Sequence, residues 1–192
     1  MYQKYTYKNI TTNGTHLTKD KFCLLNIPDL KNCTVLDIGC AEGFISLKCS
    51  ESAKKVVAID TNAGYIKILK QITEKLEIKN IETITISAQK ILENRYFDYI
   101  FCLSVLHLQI DPLGLIQQIS TRCKQCYFEI DVYDDEKSES FFYFRRQLFE
   151  SNRIHISLGR KSIMNFLQNV FKKVKMVKQH PNARQIYHCA NE

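Results

Sequence analysis

The residues most able to do chemistry begin at Asp37, in the run Val35-Leu36-Asp37-Ile38-Gly39-Cys40-Ala41-Glu42-Gly43-Phe44. An apolar strand feeds straight into a turn with small residues at 39, 41 and 43 and then into a helix. Small side chains let a ligand approach the backbone, and the helix N-terminus offers unpaired N–H groups. The spacing separates this loop from other nucleotide sites. A dinucleotide fingerprint reads G-x-G-x-x-G, whereas this loop reads G-x-A-x-G, and no G-K-[ST] is present, which excludes a P-loop. Asp60 closes the next apolar run, Val56-Val57-Ala58-Ile59-Asp60, 21 residues after Gly39. A carboxylate at that strand end can accept hydrogen bonds from two ribose hydroxyls. Taken alone it could equally cap the helix that begins near Asn62.

These residues need a scaffold, and from residue 33 onward the chain supplies one. Apolar runs at 34–38, 55–60, 81–86, 97–104, 126–132, 174–178 and 185–190 alternate with helical-period segments at 44–53, 65–76, 113–122, 139–151 and 161–171. Ile66, Leu69, Ile72 and Leu76 show the helical spacing best. Asp111 and Pro112 read as cap and first residue of a helix. Such alternation predicts a single-domain α/β fold with a mostly parallel, Rossmann-like sheet and an antiparallel hairpin at its edge. Residues 1–32 read as a lead-in, with a turn at Asn26-Ile27-Pro28-Asp29-Leu30, and 33–192 as the domain.

Composition narrows the function classes. At 45% hydrophobic and 24% charged, the 192 residues are globular in character. No apolar stretch is long enough to cross a membrane as a helix, and the polar, tyrosine-rich start lacks a signal core, so a cytoplasmic setting is expected. The eight cysteines read as reduced, packed thiols. Cys123-x-x-Cys126 is the one close pair, with no second CxxC or HxxxH, so no metal site is expected. The net charge of +7 is concentrated: residues 137–192 hold 11 Lys/Arg against 3 Asp/Glu, while residues 1–136 hold 16 against 17. That basic third, which includes Arg145, Arg146, Arg160, Lys161 and Arg184, is either a solvated surface or a field for an anionic substrate such as RNA. The run Phe141-Phe142-Tyr143-Phe144-Arg145-Arg146 reads as part of a helix with core on one side and charge on the other.

The Asp37–Gly43 loop resembles motif I of the class I S-adenosylmethionine-dependent methyltransferases. The segment from Phe97-Asp98-Tyr99-Ile100 through Val105-Leu106-His107-Leu108 to Asp111-Pro112 resembles their fourth motif. With the strand Phe128-Glu129-Ile130-Asp131, the style is closest to the branch holding the tRNA wobble-uridine-modifying methyltransferases and related small bacterial enzymes. The resemblance covers about residues 30–135. It implies seven strands in the order 3-2-1-4-5-7-6 with the last antiparallel, and S-adenosylmethionine as cofactor. The cofactor residues it implies are Asp37, Gly39, Cys40, Ala41, Gly43, Asp60, Thr61, Ala88, Gln89, Leu103 and Ser104. Leu103 and Ser104 would face the methionine part. Ala88 stands where relatives usually carry an acidic residue for the adenine, leaving that contact to Gln89 or the backbone.

Two acceptor-side positions follow. Relatives place a histidine where this chain has Leu108, so the candidates for a proton acceptor are His107 and Glu129, with Asp131 and Tyr133 as substitutes. The N/D-P-P-Y/F motif of amino methylation and the Pro-Cys of cytosine C5 methylation are absent, which favours an oxygen acceptor. The acceptor is expected to be RNA or tRNA, or else a small metabolite. The alternative outside catalysis is an inactive cofactor-binding subunit that positions or activates a partner protein, a reading that Leu108 and Ala88 favour.

Overall fold

The two strands that carry the candidate residues are short and mostly apolar, with Val35, Leu36 and Ile38 in one and Val56, Val57, Ala58 and Ile59 in the other. A computed structural model describes residues 1–17, 22, 25–133, 142–146, 154–179 and 184–192. The chain divides into two compact units, Met1–Phe101 and Cys102–Glu192.

In the first unit, β4 (Thr34–Ile38), β5 (Lys55–Asp60) and β6 (Ile81–Thr85) are parallel neighbours, and β7 (Phe97–Leu103) lies on the other side of β4. The order β6-β5-β4-β7 is the expected 3-2-1-4. Helices α1 (Phe44–Cys49), α2 (Ala63–Lys75) and α3 (Ala88–Leu92) are the connections. Both faces of such a sheet are covered, so β4 and β5 are near-continuously buried, with Val35, Leu36, Val56 and Ala58 at 0% exposure. Asp98 pins the start of β4, its Oδ2 accepting from the Thr34 backbone N–H and hydroxyl at 2.8 Å each. The N-terminal segment, expected only as a lead-in, forms a small sheet of β1 (Gln3–Tyr7), β2 (Ile10–Asn13) and β3 (His16–Leu17).

The second unit is built on β8 (Cys123–Tyr133). Strand β12 (Arg184–Ala190) runs antiparallel to it, and β11 (Lys173–Gln179) runs antiparallel to β12, giving the expected 5-7-6 order. Helix α4 (Pro112–Ser120) buries Leu115, Ile116 and Ile119, and α5 (Arg160–Val170) buries Ile163 and Leu167. Cys33, Cys40, Cys49, Cys102, Cys123, Cys126 and Cys189 are free thiols, and all but Cys33 are buried. Among the described residues, no helix is long and apolar enough to cross a membrane.

The fold class is as expected, but, besides the N-terminal sheet, three elements differ from the sequence reading. Segment 87–96, to which the sequence reading gave no helix, contains α3, whose cap is Ser87 with its hydroxyl facing the Lys90 N–H at 3.4 Å. One turn is too short to show helical periodicity. The helix read over 139–151 is corrected: 142–146 is strand β9, paired antiparallel with β10 (Ile154–Gly159), and the rest of that range lies outside the described residues. Successive aromatic residues favour a strand, and the partner strand that decides the matter lies about ten residues further on. Strand β10 itself was not anticipated, although Ile154, Ile156 and Leu158 alternate.

Candidate functional site

The loop after β4 is held in an unusual backbone state. Gly39, Ala41 and Gly43 have φ of +69°, +47° and +88°. For alanine that region costs about 1–2 kcal/mol, a strain that persists only where the surroundings fix it. The fixing groups are visible. The Ile59 carbonyl accepts from the N–H groups of both Gly39, at 2.9 Å, and Cys40, at 3.0 Å. Gly43 donates to the Cys40 carbonyl at 2.8 Å and opens α1 as its N-cap. A Cβ on Gly43 would lie 2.3 Å from Leu69 Cδ1, so packing of the loop against α2 demands glycine there.

Asp60 ties the loop to β5. Its Oδ2 accepts from the Ala41 N–H at 3.1 Å and its Oδ1 from the Asn62 N–H at 2.8 Å. A carboxylate offers about four lone-pair sites, so acceptor capacity remains for hydroxyl groups. The helix-cap alternative is settled locally, because Asn62, not Asp60, caps α2 through the Gly64 N–H at 2.9 Å. Thr61 is exposed beside it.

Asp37 faces α1. It is 3% exposed, and the Ser46 hydroxyl donates to its Oδ2 at 2.5 Å. Burial lifts its pKa from 3.8 to about 7; the Ser46 hydrogen bonds oppose the rise and the Asp60 charge adds to it. The Ser46 contact ties Asp37 to α1, a geometry that serves to order the loop. Ser46 was missed as its partner, although a serine nine residues on, among Phe44, Ile45 and Leu47, was a usable signal. Burial likewise pushes the Cys40 thiol well above its ordinary value, which keeps it neutral. At the end of β6, Ala88 is buried at the start of α3 and Gln89 is exposed.

The acceptor-side candidates belong to the second unit. Ser104, just past β7, has φ of +58°. Its N–H donates to the Glu129 carbonyl at 3.2 Å, its hydroxyl donates to the Glu129 carboxylate, and the Arg184 guanidinium donates to that hydroxyl at 2.8 Å. Glu129 is 3% exposed. Asp131, opposite Arg184 in the β8–β12 register, accepts from Ser157 at 3.1 Å. The structure therefore joins Ser104, Glu129 and Arg184, a grouping with no sequence signal because the partners lie 25 and 80 residues apart. Leu103 is half-buried at the end of β7. His107 is buried, at 7% exposure, in the 3₁₀ turn Leu106–Leu108, whereas Leu108 is 42% exposed. Asp111 caps α4 as read, accepting from Gly114 at 2.8 Å.

Residues 29–181 match the model of a family described as a methyltransferase domain. The chain belongs to this family. It is thus a class I methyltransferase domain, of the superfamily whose methyl donor is S-adenosylmethionine. The methyltransferase domain is 32% identical over 95 residues to a probable cobalt-precorrin-6B C(15)-methyltransferase (decarboxylating) of Methanocaldococcus jannaschii, covering 48% of this chain and 52% of that one. It is 28% identical over 102 residues to a tRNA U34 carboxymethyltransferase of Pseudoalteromonas translucida, covering 53% of this chain and 32% of that one. The chain spans about half or less of the length of these curated relatives. In fold it resembles the N-terminal domain of EvdMO1 crystallised with SAH and D-fucose, with a TM-score of 0.81 at 12% identity over 97% of this chain and 89% of that one. It also resembles magnesium protoporphyrin IX methyltransferase from Synechocystis with bound SAM, at TM-score 0.65, 14% identity, and 89% and 76% coverage. At such identities the likeness is one of fold.

Proposed function

We propose that the protein transfers the methyl group of S-adenosylmethionine to an oxygen of an anionic acceptor, with RNA or tRNA as the preferred class. The observation that carries the cofactor assignment is the Ala41 N–H bonded to Asp60: a small-residue turn and a carboxylate held as one unit. Gly39, Cys40, Ala41 and Gly43 would admit the cofactor against the backbone, Asp60 and Thr61 would receive the ribose, Ala88 and Gln89 would flank the adenine, and Leu103 and Ser104 the methionine part. Nothing in this set offers a phosphate clamp, which suits a phosphate-free ligand. Bound there, S-adenosylmethionine supplies a methyl group activated on a positively charged sulfur. The chain's own task is alignment of the acceptor and removal of its proton. Glu129 is the better of the two proton acceptors, because the Ser104 hydroxyl, itself held by Arg184, fixes its orientation, whereas His107 is packed inside its turn.

The acceptor class rests on β11. Lys173, Lys175 and Lys178 stand opposite Ala190, His188 and Ile186, because the register slips by one residue between Met176 and Lys178. That irregularity keeps all three lysines on one face of an edge strand, about 7 Å apart by strand geometry where no bulge intervenes. All three are exposed, and no ion pair among the described residues involves them. Lys175 also lowers the pKa of His188, after burial, the larger cause. Lysines on an edge also deter strand-to-strand aggregation. The second reading, a small sugar-linked acceptor, draws on the D-fucose complex of the EvdMO1 domain.

Transfer of labelled methyl groups to bulk tRNA, with binding measured across a salt series, tests the proposal. Affinity should fall steeply with salt, and reversing the three lysines should flatten the slope by about 2, at roughly 0.7 per phosphate on a single strand. Cofactor binding without RNA binding favours the small acceptor. Cofactor binding with no turnover on any acceptor favours a subunit that activates a partner protein.

A further inference from the structure

The N-terminal sheet turns its buried polar groups toward the cofactor loop. Glu42, in the middle of that loop, is 0% exposed, and its carboxylate is met by backbone donors from β1 and the residue before it. Oε1 accepts from the Tyr2 N–H at 2.5 Å and Oε2 from the Gln3 N–H at 3.0 Å. The Tyr5 hydroxyl donates to the Glu42 carbonyl at 2.6 Å, and Gln3 Oε1 accepts the Phe44 N–H, in the first turn of α1, at 3.2 Å. The Tyr5 ring lies 5.2 Å from the Phe44 ring, and Lys48 sits 5.5 Å from the Tyr7 ring centre. Gln3, Tyr5 and Tyr7 alternate as the buried face of β1, so one strand face supplies every one of these side-chain contacts.

We propose that β1–β3 form a strap whose docking on Glu42 fixes the cofactor loop, so that strap closure and cofactor binding strengthen each other. The inference rests on the reading of the Gly39–Gly43 loop as the cofactor seat. Glu42 lies between Ala41, whose N–H holds Asp60, and Gly43, whose left-handed backbone opens α1. The loop is thus gripped from one side by Ile59 and Asp60 and from the other by the strap. Three of its residues hold left-handed conformations, and such a loop keeps one shape only when its surroundings over-determine it. Release of the strap would free the Tyr2 and Gln3 N–H groups and expose the Glu42 carboxylate to water, and it would leave Ala41 held from one side alone. Glu42 is therefore a positioning residue: it acts on the cofactor through Ala41 and Asp60. Coupling of this kind is reciprocal, since a ligand that favours the closed loop must favour the docked strap to the same degree.

The test uses the full chain and S-adenosylhomocysteine as probe. Calorimetry compares wild type, Glu42→Gln and Gln3→Ala, and amide hydrogen exchange follows the peptide covering residues 1–13 with and without the probe. In Glu42→Gln one N–H donor faces an amide NH2 instead of an acceptor, and the affinity should fall about tenfold or more. In wild type the probe should slow exchange in the N-terminal peptide, and this protection should shrink in both variants. A merely structural strap would lower the unfolding midpoint of Glu42→Gln while the folded protein kept wild-type affinity and the peptide ignored the probe. That result overturns the proposal. Should Glu42→Gln not fold, Gln3→Ala and the wild-type exchange data decide it. Absence of any probe binding by wild type overturns the cofactor reading itself, and the strap with it, whereas binding without N-terminal protection overturns the strap alone.

Discussion

Ala41 donates its backbone N–H to Asp60 Oδ2 at 3.1 Å, so the strained loop after β4 and the carboxylate at the end of β5 form one hydrogen-bonded unit. Loss of either group should therefore disturb both the proposed seat for the cofactor and the residue proposed to hold its ribose.

Asp60→Ala removes the acceptor for the Ala41 and Asn62 N–H groups and, on the proposed reading, for two ribose hydroxyls. S-adenosylhomocysteine affinity should drop about ten- to a hundredfold, corresponding to roughly 1–3 kcal/mol. Calorimetry on folded variant protein checks this, and unchanged affinity would remove Asp60 from the site.

Asp37 should make stability depend on pH in an unusual direction. Its folded pKa, about 7, lies above the ordinary 3.8, so the native state binds more protons than the unfolded chain between those values. Stability from this group is therefore full at low pH and is lost as pH rises toward 7. Asp37→Asn keeps an acceptor for Ser46 and abolishes that slope. Urea unfolding at about pH 5 and about pH 8 should show wild type losing more stability than the variant between the two. Identical pH dependence would contradict the assignment.

Gly43→Ala adds a Cβ 2.3 Å from Leu69 Cδ1 at a φ of +88°. It should destabilise by about 1–3 kcal/mol through overpacking and backbone strain. The double variant with Leu69→Ala relieves the clash but not the φ. A coupling energy near zero in thermal unfolding of the four proteins of that cycle would show that the contact is not the cause.

Glu129→Gln should lower turnover by about a hundredfold with cofactor affinity preserved, the effect of losing a general base. His107→Asn should leave turnover close to wild type. The opposite ranking would move the proton to His107, and equal, small effects would mean that alignment alone suffices. Arg184→Ala should mimic Glu129→Gln in part, since it frees the Ser104 hydroxyl that bridges the two.

What could be read from the chain was local. The Gly39–Gly43 turn, Asp60 at its strand end and the Asp111–Pro112 cap each express their geometry within a few residues, because left-handed turns need small side chains and caps need short polar ones. The alternation of apolar runs and helical segments predicted a mostly parallel sheet, while the order β6-β5-β4-β7 came from the family resemblance alone. What the sequence left open was every pairing made across distance. Strand β9 was read as helix because its partner β10 lies in another segment, and a strand's stability comes from its neighbour more than from its own residues. Glu42 had no assigned role in the sequence; Tyr2 and Gln3, about 40 residues earlier, close over it in the fold. Arg184 was one charge among many until the antiparallel β12 brought it to Ser104. By itself the sequence determined the left-handed turn at Gly39–Gly43, because backbone strain selects residue type position by position. Only the tertiary structure decided which buried carboxylates are held, and by what, because a polar group accepts whichever donor the folded chain delivers.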